Sequence, residues 1–373
     1  MLKRFFITWM LMIVTIGADA NGMVVVPDSI CVEDSVAKPA PKVEKEESFF
    51  DKVYEVIKSF SRVDKKYIEP QHYNYTVMLQ NTNTFESYTL SNKDGQEIVL
   101  SPEPSVKLGP YVGWRWLVLG YTIDIFHLFE GHHKQDWDIS LYSNQIGIDL
   151  FYRKTGNDYK LRRVYLGEDI STDAVRNMPF GGFNASIKGF NLYYIMNHKR
   201  FSYPAAFNQS TCQKISCGSP LVGIGYTQHS LNIDVGRLNN LLEMHLGKDY
   251  SVSMDSSLVA AKVSYSDFSV SGGYAYNWVF AKNWLAAASL SLAVGHRRST
   301  GKMDRGTFQL RDFSFRNFNL DGVGRFGMVW NNTRWYAGWS AILHSYNYKK
   351  SQFSTNSFFG SLNFYVGLNF GDR

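Results

Sequence analysis

Two histidine–serine pairs come nearest to a known catalytic arrangement. YTQHSLN places His229 before Ser230, and LHSYN places His344 before Ser345. Imidazole can activate a strand hydroxyl only from the same face, which needs a spacing of two residues, as in the His-x-Ser pattern of outer-membrane lipases. Adjacent strand residues point to opposite faces, so we predict no catalytic residues and keep an outer-membrane lipid hydrolase only as an alternative.

Cys212 and Cys217, in TCQKISCG, form a second candidate pair. In an oxidising compartment their spacing allows a small disulfide loop, and two free thiols are the other interpretation. A zinc site would need two further ligands at comparable spacing. We therefore predict no metal and no cofactor, and Cys31 lies alone in a linker.

A third group consists of charged residues that alternate with apolar ones inside extended segments. The candidate lumen cluster is Arg115, Asp124, Asp138, Asp149 and Arg153, and Lys107, Asp321 and Arg325 follow the same alternation. Two interpretations stay open: a charged constriction or ligand site in a pore, and a salt-bridged filling of a modest barrel.

The elements that would position these residues have a period of two. Such segments lie around residues 73–80, 106–116, 117–125, 137–141, 146–153, 183–197, 220–230, 270–278, 284–294, 318–330, 335–343 and 358–370. Their apolar sets occupy one face, and small, polar or charged residues occupy the other. The pattern predicts an all-β fold, a transmembrane antiparallel up-and-down β-barrel of about 12 strands within a range of 10 to 14.

The last segment, FFGSLNFYVGLNF, predicts the closing strand of that barrel. Its outward set is Phe358, Leu362, Phe364, Val366, Leu368 and Phe370, with Ser361, Asn363 and Asn369 toward the lumen. Closure would pair it with the strand that starts near Tyr73, because a sheet that spans hydrocarbon leaves no unpaired edge. Its near-terminal aromatic residue resembles the signal read by the barrel-assembly machinery.

Tryptophans near strand ends and alternating connection lengths distinguish a membrane barrel from a sandwich. The tryptophans are Trp114, Trp116, Trp137, Trp278, Trp284, Trp330 and Trp335. Interfacial aromatic girdles stand at such positions. Tight turns are predicted near 116–117, 143–145, 279–283 and 331–333, and longer loops at 82–104, 127–135, 155–182, 231–261, 296–311 and 347–356. Segment 198–219 is too long for a turn, so it could hide another hairpin.

The N-terminal region predicts export. Residues 1–20 have the basic, apolar and small-residue regions of a signal peptide cleaved after Ala20. Residues 21–47 have the composition of a flexible periplasmic linker. Residues 48–70 begin with a short amphipathic helix that plugs a barrel mouth, lies on a membrane or packs on the next domain, and residues 71–373 are the barrel.

Composition excludes other classes of protein. The 373 residues are 45% hydrophobic, yet the mean hydropathy is −0.23, which excludes a helical membrane protein. The net charge of +6 is too mild to indicate nucleic acid.

A resemblance covers roughly residues 70–370. GPYVGWRW at 109–116 and LGYTID at 119–124 resemble an uncharacterised outer-membrane β-barrel family of Bacteroidota, domain of unknown function 4421. The resemblance implies the barrel fold and the outer membrane, and no substrate or catalytic residue.

We therefore expect an outer-membrane barrel with a periplasmic N-terminus and a structural, adhesive or small-solute transport role. A soluble periplasmic β-sandwich that binds a ligand is a third option. Expected partners are outer-membrane lipids, lipopolysaccharide and the barrel-assembly machinery. Basic residues in the loops are candidates for lipopolysaccharide phosphates or for plain solvated charge: Arg153, Lys154, Lys160, Arg162, Arg163, Arg297, Arg298, Lys302, Arg305, Lys349 and Lys350.

Overall fold

The computed structural model describes residues 63–92, 95–114, 117–120, 122–124, 135–154, 158–167, 170–247, 262–299, 318–350 and 353–372. The signal peptide, the linker and the amphipathic helix predicted from residue 48 therefore lie outside the described residues.

Strands dominate the described part of the chain. In chain order they are β1 (Ile68–Pro70), β2 (Tyr73–Asn92), β3 (Glu97–Ser101), β4 (Ser105–Trp114), β5 (Leu117–Gly120), β6 (Ile123–Asp124), β7 (Gln135–Tyr142), β8 (Ile146–Lys154), β9 (Lys160–Tyr165), β10 (Met178–Pro179), β11 (Phe183–Ile195), β12 (Thr211–Gln213), β13 (Cys217–Ile233), β14 (Lys262–Ala281), β15 (Trp284–Ser299), β16 (Phe318–Asn331), β17 (Trp335–Lys350) and β18 (Phe353–Asp372). The helices are a 3-10 turn (Asp173–Val175), α1 (Tyr203–Phe207) and α2 (Val235–Leu246).

The wall is one antiparallel sheet in which successive strands pair up and down. Its order is β7-β8-β11-β13-β14-β15-β16-β17-β18-β2-β4, and β4 also pairs with β5 and β6. Counting β5 and β6 as one strand gives twelve wall strands in the described residues. The predicted closing strand is confirmed, because β18 pairs with β2 from Phe353 opposite Asn92 to Asp372 opposite Tyr73. A single sheet also makes the two-sheet sandwich alternative wrong.

Contacts across the interior show that this sheet is curled. Strands β8 and β18 are seven strand spacings apart, which is roughly 34 Å in a flat sheet. The rings of Phe151 on β8 and Phe359 on β18 nevertheless have centroids 6.2 Å apart. No pairing joins β6 to β7 within the described residues, and the chain between them, 125–134, is outside the description.

The two ends of the curled sheet differ. The turn end holds Tyr73, Asp372 and the connections 143–145, 282–283 and 332–334, which agree with the predicted tight turns. The loop end holds the connections that contain β3, β9, β10 and α2. Two predicted loops are wrong: β2 continues to Asn92, well into 82–104, and β17 and β18 leave only two residues of 347–356 between them.

The apolar faces of the strands point away from the interior. The outward residues of β14 include Phe268, Val270, Tyr274, Tyr276 and Trp278, and those of β15 include Trp284, Leu290, Leu292 and Val294; all are exposed. Charged side chains such as Asp149, Asp321 and Arg325 are buried inside. This distribution is the reverse of that in a water-soluble protein.

Candidate functional site: the lumen and its closed ends

An ion pair spans the middle of the lumen. Arg325 on β16 donates from Nη2 to the Asp149 carboxylate on β8, and the two side chains are 2% and 7% exposed. Ser140 Oγ donates a second hydrogen bond to Asp149, at 2.8 Å. Five strand spacings separate the partners along the sheet, so the pair ties opposite walls together.

Tyrosines surround the pair on the side of the turn end. The guanidinium carbon of Arg325 lies 5.0 Å from the ring centroid of Tyr193. Tyr203, from α1, lies 5.6 Å from the rings of both Tyr142 and Tyr193. Cation–π contact and aromatic packing thus fill the space in which a conducting pore would hold water.

A second layer of charged and aromatic residues lies nearer the loop end. Arg153 stands 4.5 Å from the ring centroid of Phe359, and His344 stacks on the same ring at 5.0 Å. A small cavity of about 20 Å³ lies beside these groups and is bordered by Asp149, Arg153 and His344. That volume holds about one water molecule, so this layer is packed solid.

The plug segment, residues 196–216, closes the lumen at the turn end. Ser202 caps α1, and its Oγ accepts a hydrogen bond from the backbone N–H of Ala205. Tyr203 Oη lies 2.5 Å from Ser289 Oγ on β15, and Gln209 Nε2 donates to Tyr365 Oη on β18 at 2.7 Å. These contacts reach two separate strands of the wall, β15 and β18, so the segment folds into the lumen.

The plug segment explains the long connection that broke the predicted pattern of turns. It contains no further wall hairpin: β12 pairs with β1, with Glu69 opposite Cys212, as a separate two-stranded sheet, here called the plug sheet. The segment is long because it must enter the barrel and return. The hairpin prediction, which would have raised the strand count to about 14, is wrong.

The loop-end cap, formed by β3, β9, β10, the 3-10 turn and α2, closes the opposite end. Its apolar core includes the rings of Tyr88, Tyr159 and Phe183, which are at most 2% exposed and lie 5.0–6.0 Å apart. Leu238 of α2 packs into the same core. At the loop end the inward face is therefore apolar, as in the core of a soluble domain.

The structure describes three side chains of the predicted five-residue lumen cluster, those of Asp124, Asp149 and Arg153. Asp149 and Arg153 both face inward on β8 and border the same small cavity. Asp124 on β6 is half-buried. Arg115 and the side chain of Asp138 lie outside the described residues. Arg325, the partner of Asp149, was predicted to face inward but was not in the cluster, because register across a lumen is invisible in a single sequence.

The two cysteines are not bonded to each other, and each histidine lies on the opposite face of its strand from the serine that follows it. Cys212 and Cys217 are free thiols, the second of the two interpretations that their spacing leaves open. Cys212 belongs to the plug sheet, while Cys217 begins β13 and its Sγ lies 3.2 Å from Asn197 Nδ2. His229 and His344 are buried inward, whereas Ser230 and Ser345 lie on the outward face and are half-buried.

The described part of the chain shows neither a metal-ligand cluster nor a long apolar helix. No group of three or more His, Cys, Asp or Glu residues there could hold a metal ion. Among the helices described, none has the length and apolar character needed to span a membrane.

A family model described as Domain of unknown function (DUF4421) matches residues 62–370. No curated protein matches the chain significantly. Similar solved structures include the outer membrane protease OmpT from Escherichia coli (5% identity, TM-score 0.30, 80% of this chain and 97% of that one). The translocator domain of the autotransporter NalP from Neisseria meningitidis (8%, 0.29, 80% and 88%) and the P. putida toluene transporter TodX (8%, 0.21, 80% and 91%) are also similar. At these TM-scores the likenesses carry no argument about mechanism.

Proposed function

We propose that this chain, which belongs to the DUF4421 family, is an integral outer-membrane β-barrel that acts as a closed scaffold rather than an open channel. The observation that carries the proposal is the reversed distribution of side chains. A belt of aromatic and aliphatic residues faces outward, and the charged residues face inward. Soluble monomers rarely expose apolar patches larger than a few hundred Å².

The height of the apolar belt supports a bilayer as the surrounding medium. On β14 the belt runs from Phe268 to Trp278. Ten residue steps correspond to roughly 33 Å along a strand. With the usual tilt of membrane barrel strands this becomes a band about 25 Å tall, which is the thickness of the outer-membrane apolar belt.

Aromatic residues line both borders of the belt. Tyr226 lies directly opposite Phe190 and Phe268 on its two neighbouring strands, at the border nearer the loop end. Trp284 lies opposite Trp330 at the turn end. Two aromatic rows separated by aliphatic residues are the interfacial girdles expected of a membrane barrel.

The closed lumen favours a structural or adhesive role over diffusion of solutes. The plug segment, the Arg325–Asp149 layer and the loop-end cap block the lumen in series. The cap would present the surface available to an external partner. His229 and Ser230 point to opposite faces, so the arrangement offers no support for the lipid hydrolase alternative.

The orientation follows from the outer-membrane proposal. Bacterial barrels have short periplasmic turns and long external loops, so the turn end is periplasmic and the loop end is external. Cleavage after Ala20, a Gram-negative host among the Bacteroidota and insertion by the barrel-assembly machinery belong to the same proposal.

Lipopolysaccharide is the proposed lipid partner of the external surface. Lys160 and Arg162 share the carboxylate of Glu103, and Arg163 pairs with Glu97. These three cations are partly neutralised. Lys154 and Lys188, which are exposed on the outer wall, are better placed to meet phosphates.

Fractionation and gel mobility test the proposal. The protein is expected in the outer-membrane fraction and is expected to migrate faster before boiling than after it in detergent-containing gels. Recovery only in the soluble periplasmic fraction would refute the barrel. In planar bilayers we expect no single-channel conductance from the folded protein, and a stable open conductance would refute the closed scaffold.

A further inference from the structure

A cavity lies at the turn end, between the plug segment and the wall. Its volume is about 480 Å³, within the range of roughly 300–1,000 Å³ that small-molecule sites occupy. The plug sheet and α1 form one side. The turns β14–β15 and β16–β17 form the other.

The wall of this mouth cavity includes apolar side chains that belong to the barrel core. Ala205, Leu285 and Val329 line it, and each is at most 5% exposed. They pack together in one buried cluster. A surface of this kind gains free energy by covering the apolar part of a ligand.

Polar and charged residues line the remainder of the mouth cavity. Lys282 sits in the β14–β15 turn, is exposed and has no ion-pair partner among the described residues. Lys214 also lines the cavity, with its Nζ 3.4 Å from Glu69 Oε2. Glu69, the one carboxylate in the described lining, is further held by His72 at 3.2 Å. Two ammonium groups and one compensated carboxylate leave a net positive lining.

We propose that this mouth cavity binds a small amphiphile with an anionic head group, of the fatty carboxylate class. The apolar chain lies against Leu285 and Val329, and the carboxylate pairs with Lys282. A charge-assisted hydrogen bond to an ammonium group is stronger than a neutral one, so the head group supplies specificity. On the proposed orientation the ligand enters from the periplasm.

The choice of an anionic amphiphile follows from excluding the other ligand classes. A fully polar solute would leave Leu285 and Val329 facing a polar group at a desolvation cost. A cationic head group would meet Lys282 and a carboxylate already engaged by Lys214. A neutral apolar molecule would leave the ammonium of Lys282 unused.

Equilibrium binding of labelled octanoate to the full-length mature protein in phosphatidylcholine nanodiscs tests the proposal, with empty nanodiscs as the background. We expect one saturable site. Ala281→Trp fills the cavity from an exposed position and should abolish that site, and Lys282→Gln should weaken binding about tenfold. The matched control Lys66→Gln removes an exposed charge elsewhere and should leave binding unchanged.

Octan-1-ol and acetate separate the two parts of the ligand, and each should compete at least tenfold more weakly than octanoate. Saturable binding that persists in Ala281→Trp, equal competition by octan-1-ol, unchanged affinity in Lys282→Gln, or no saturable binding at all would each overturn the proposal. Heat-modifiable mobility establishes that each variant is folded. If the protein proves to be soluble, only the barrel proposal is refuted, because octanoate binding can then be measured in the same assay without nanodiscs.

Discussion

Arg325 and Asp149 form a hydrogen-bonded ion pair across the lumen although they lie 176 residues apart in the chain. The pair joins β16 to β8 and therefore constrains the curvature of the sheet. It also shares the mid-lumen space with Tyr193 and Tyr203. Removal of either partner would leave the other charge buried in the packed interior.

Replacement of one member of this pair should strongly destabilise the barrel. We expect Asp149→Asn or Arg325→Met to lower the free energy of unfolding by about 3–5 kcal/mol, the usual cost of an uncompensated buried charge. The measurement is the urea midpoint of the heat-modifiable band. Combining Arg325→Met with Asp149→Leu should recover much of the loss, because no charge remains buried. A double variant no more stable than the single variants would contradict this.

An exposed pair provides the matched control for that experiment. Arg163 and Glu97 pair at the loop end, where the arginine side chain is 66% exposed. Arg163→Gln should change the free energy of unfolding by less than about 1 kcal/mol, as is usual for surface ion pairs.

A charge in the middle of the apolar belt should also be costly. Leu290 on β15 is 58% exposed on the outer face. In a bilayer, Leu290→Arg should cost about 2–4 kcal/mol, measured as a lower urea midpoint and a smaller folded fraction. The control is Asn356→Arg on β18, an exposed position above the belt, where little change is expected. Equal effects at the two positions would argue that water surrounds both.

The part of the fold inside the belt was predictable from sequence, because the strands whose side chains are described there place apolar residues outward. Above the belt the apolar residues change faces. On β2 the outward residues are Val77 and Leu79 near the turn end, whereas Tyr88 and Leu90 face inward near the loop end. The pattern of outward apolar residues therefore ends at the border of the belt, although the strands continue, which explains the wrong loops at 82–104 and 347–356.

The lumen was predictable only in outline. The alternation of polar and apolar residues predicted that Asp149, Arg153 and Arg325 face inward, because the face of the sheet on which a side chain lies depends only on the local two-residue period. Which of them meet depends on strand number and stagger, which are properties of the whole barrel. The plug segment was recognised as anomalous by its length, but its route into the lumen depends on contacts such as that between Tyr203 and Ser289.

Substitutions at Tyr203 test how tightly the plug segment is held. Its side chain is fully buried among Tyr142, Tyr193 and Phe207. Tyr203→Phe should cost about 1 kcal/mol for the lost hydrogen bond, and Tyr203→Ala about 3–5 kcal/mol for the cavity. Protease cleavage within 196–216 should rise in that order. Equal cleavage in all three proteins would show that the plug is held elsewhere.

Acid should loosen the loop-end cap slightly. A hydrogen bond from Lys160 lowers the pKa of Glu103, with further lowering by the charges of Lys160 and Arg162. Because the pKa of Glu103 is lower in the folded protein, its ionised form stabilises the cap at any pH above the unfolded-state pKa of about 4.5. This stability is lost as the pH falls through the folded-state pKa. Because the Glu103 side chain is 45% exposed, solvent screens the interaction and the effect should stay below about 1 kcal/mol.

Hydrogen exchange measures this acid response. Protection of β3 and β9 is expected to fall between pH 5 and pH 3, after correction for intrinsic exchange. The fall should be smaller in Lys160→Met, which has already lost the interaction. An identical pH response in Lys160→Met would assign the loosening to other carboxylates.

Cys212 should be a slow nucleophile that responds to Glu69. Burial, with a smaller contribution from the negative charge of Glu69, raises the pKa of Cys212 to about 12. Because only the thiolate reacts, iodoacetamide at pH 8 should label it about a thousandfold more slowly than an ordinary thiol of pKa near 8.5. In a Cys31→Ser, Cys217→Ser background the rate should rise nearly tenfold per pH unit up to pH 10.

Glu69→Gln should accelerate the labelling of Cys212 because it removes the charge that disfavours the thiolate, whereas Glu97→Gln at the other end should not. A rate in Glu69→Gln equal to that of the parent would leave burial as the sole cause of the raised pKa.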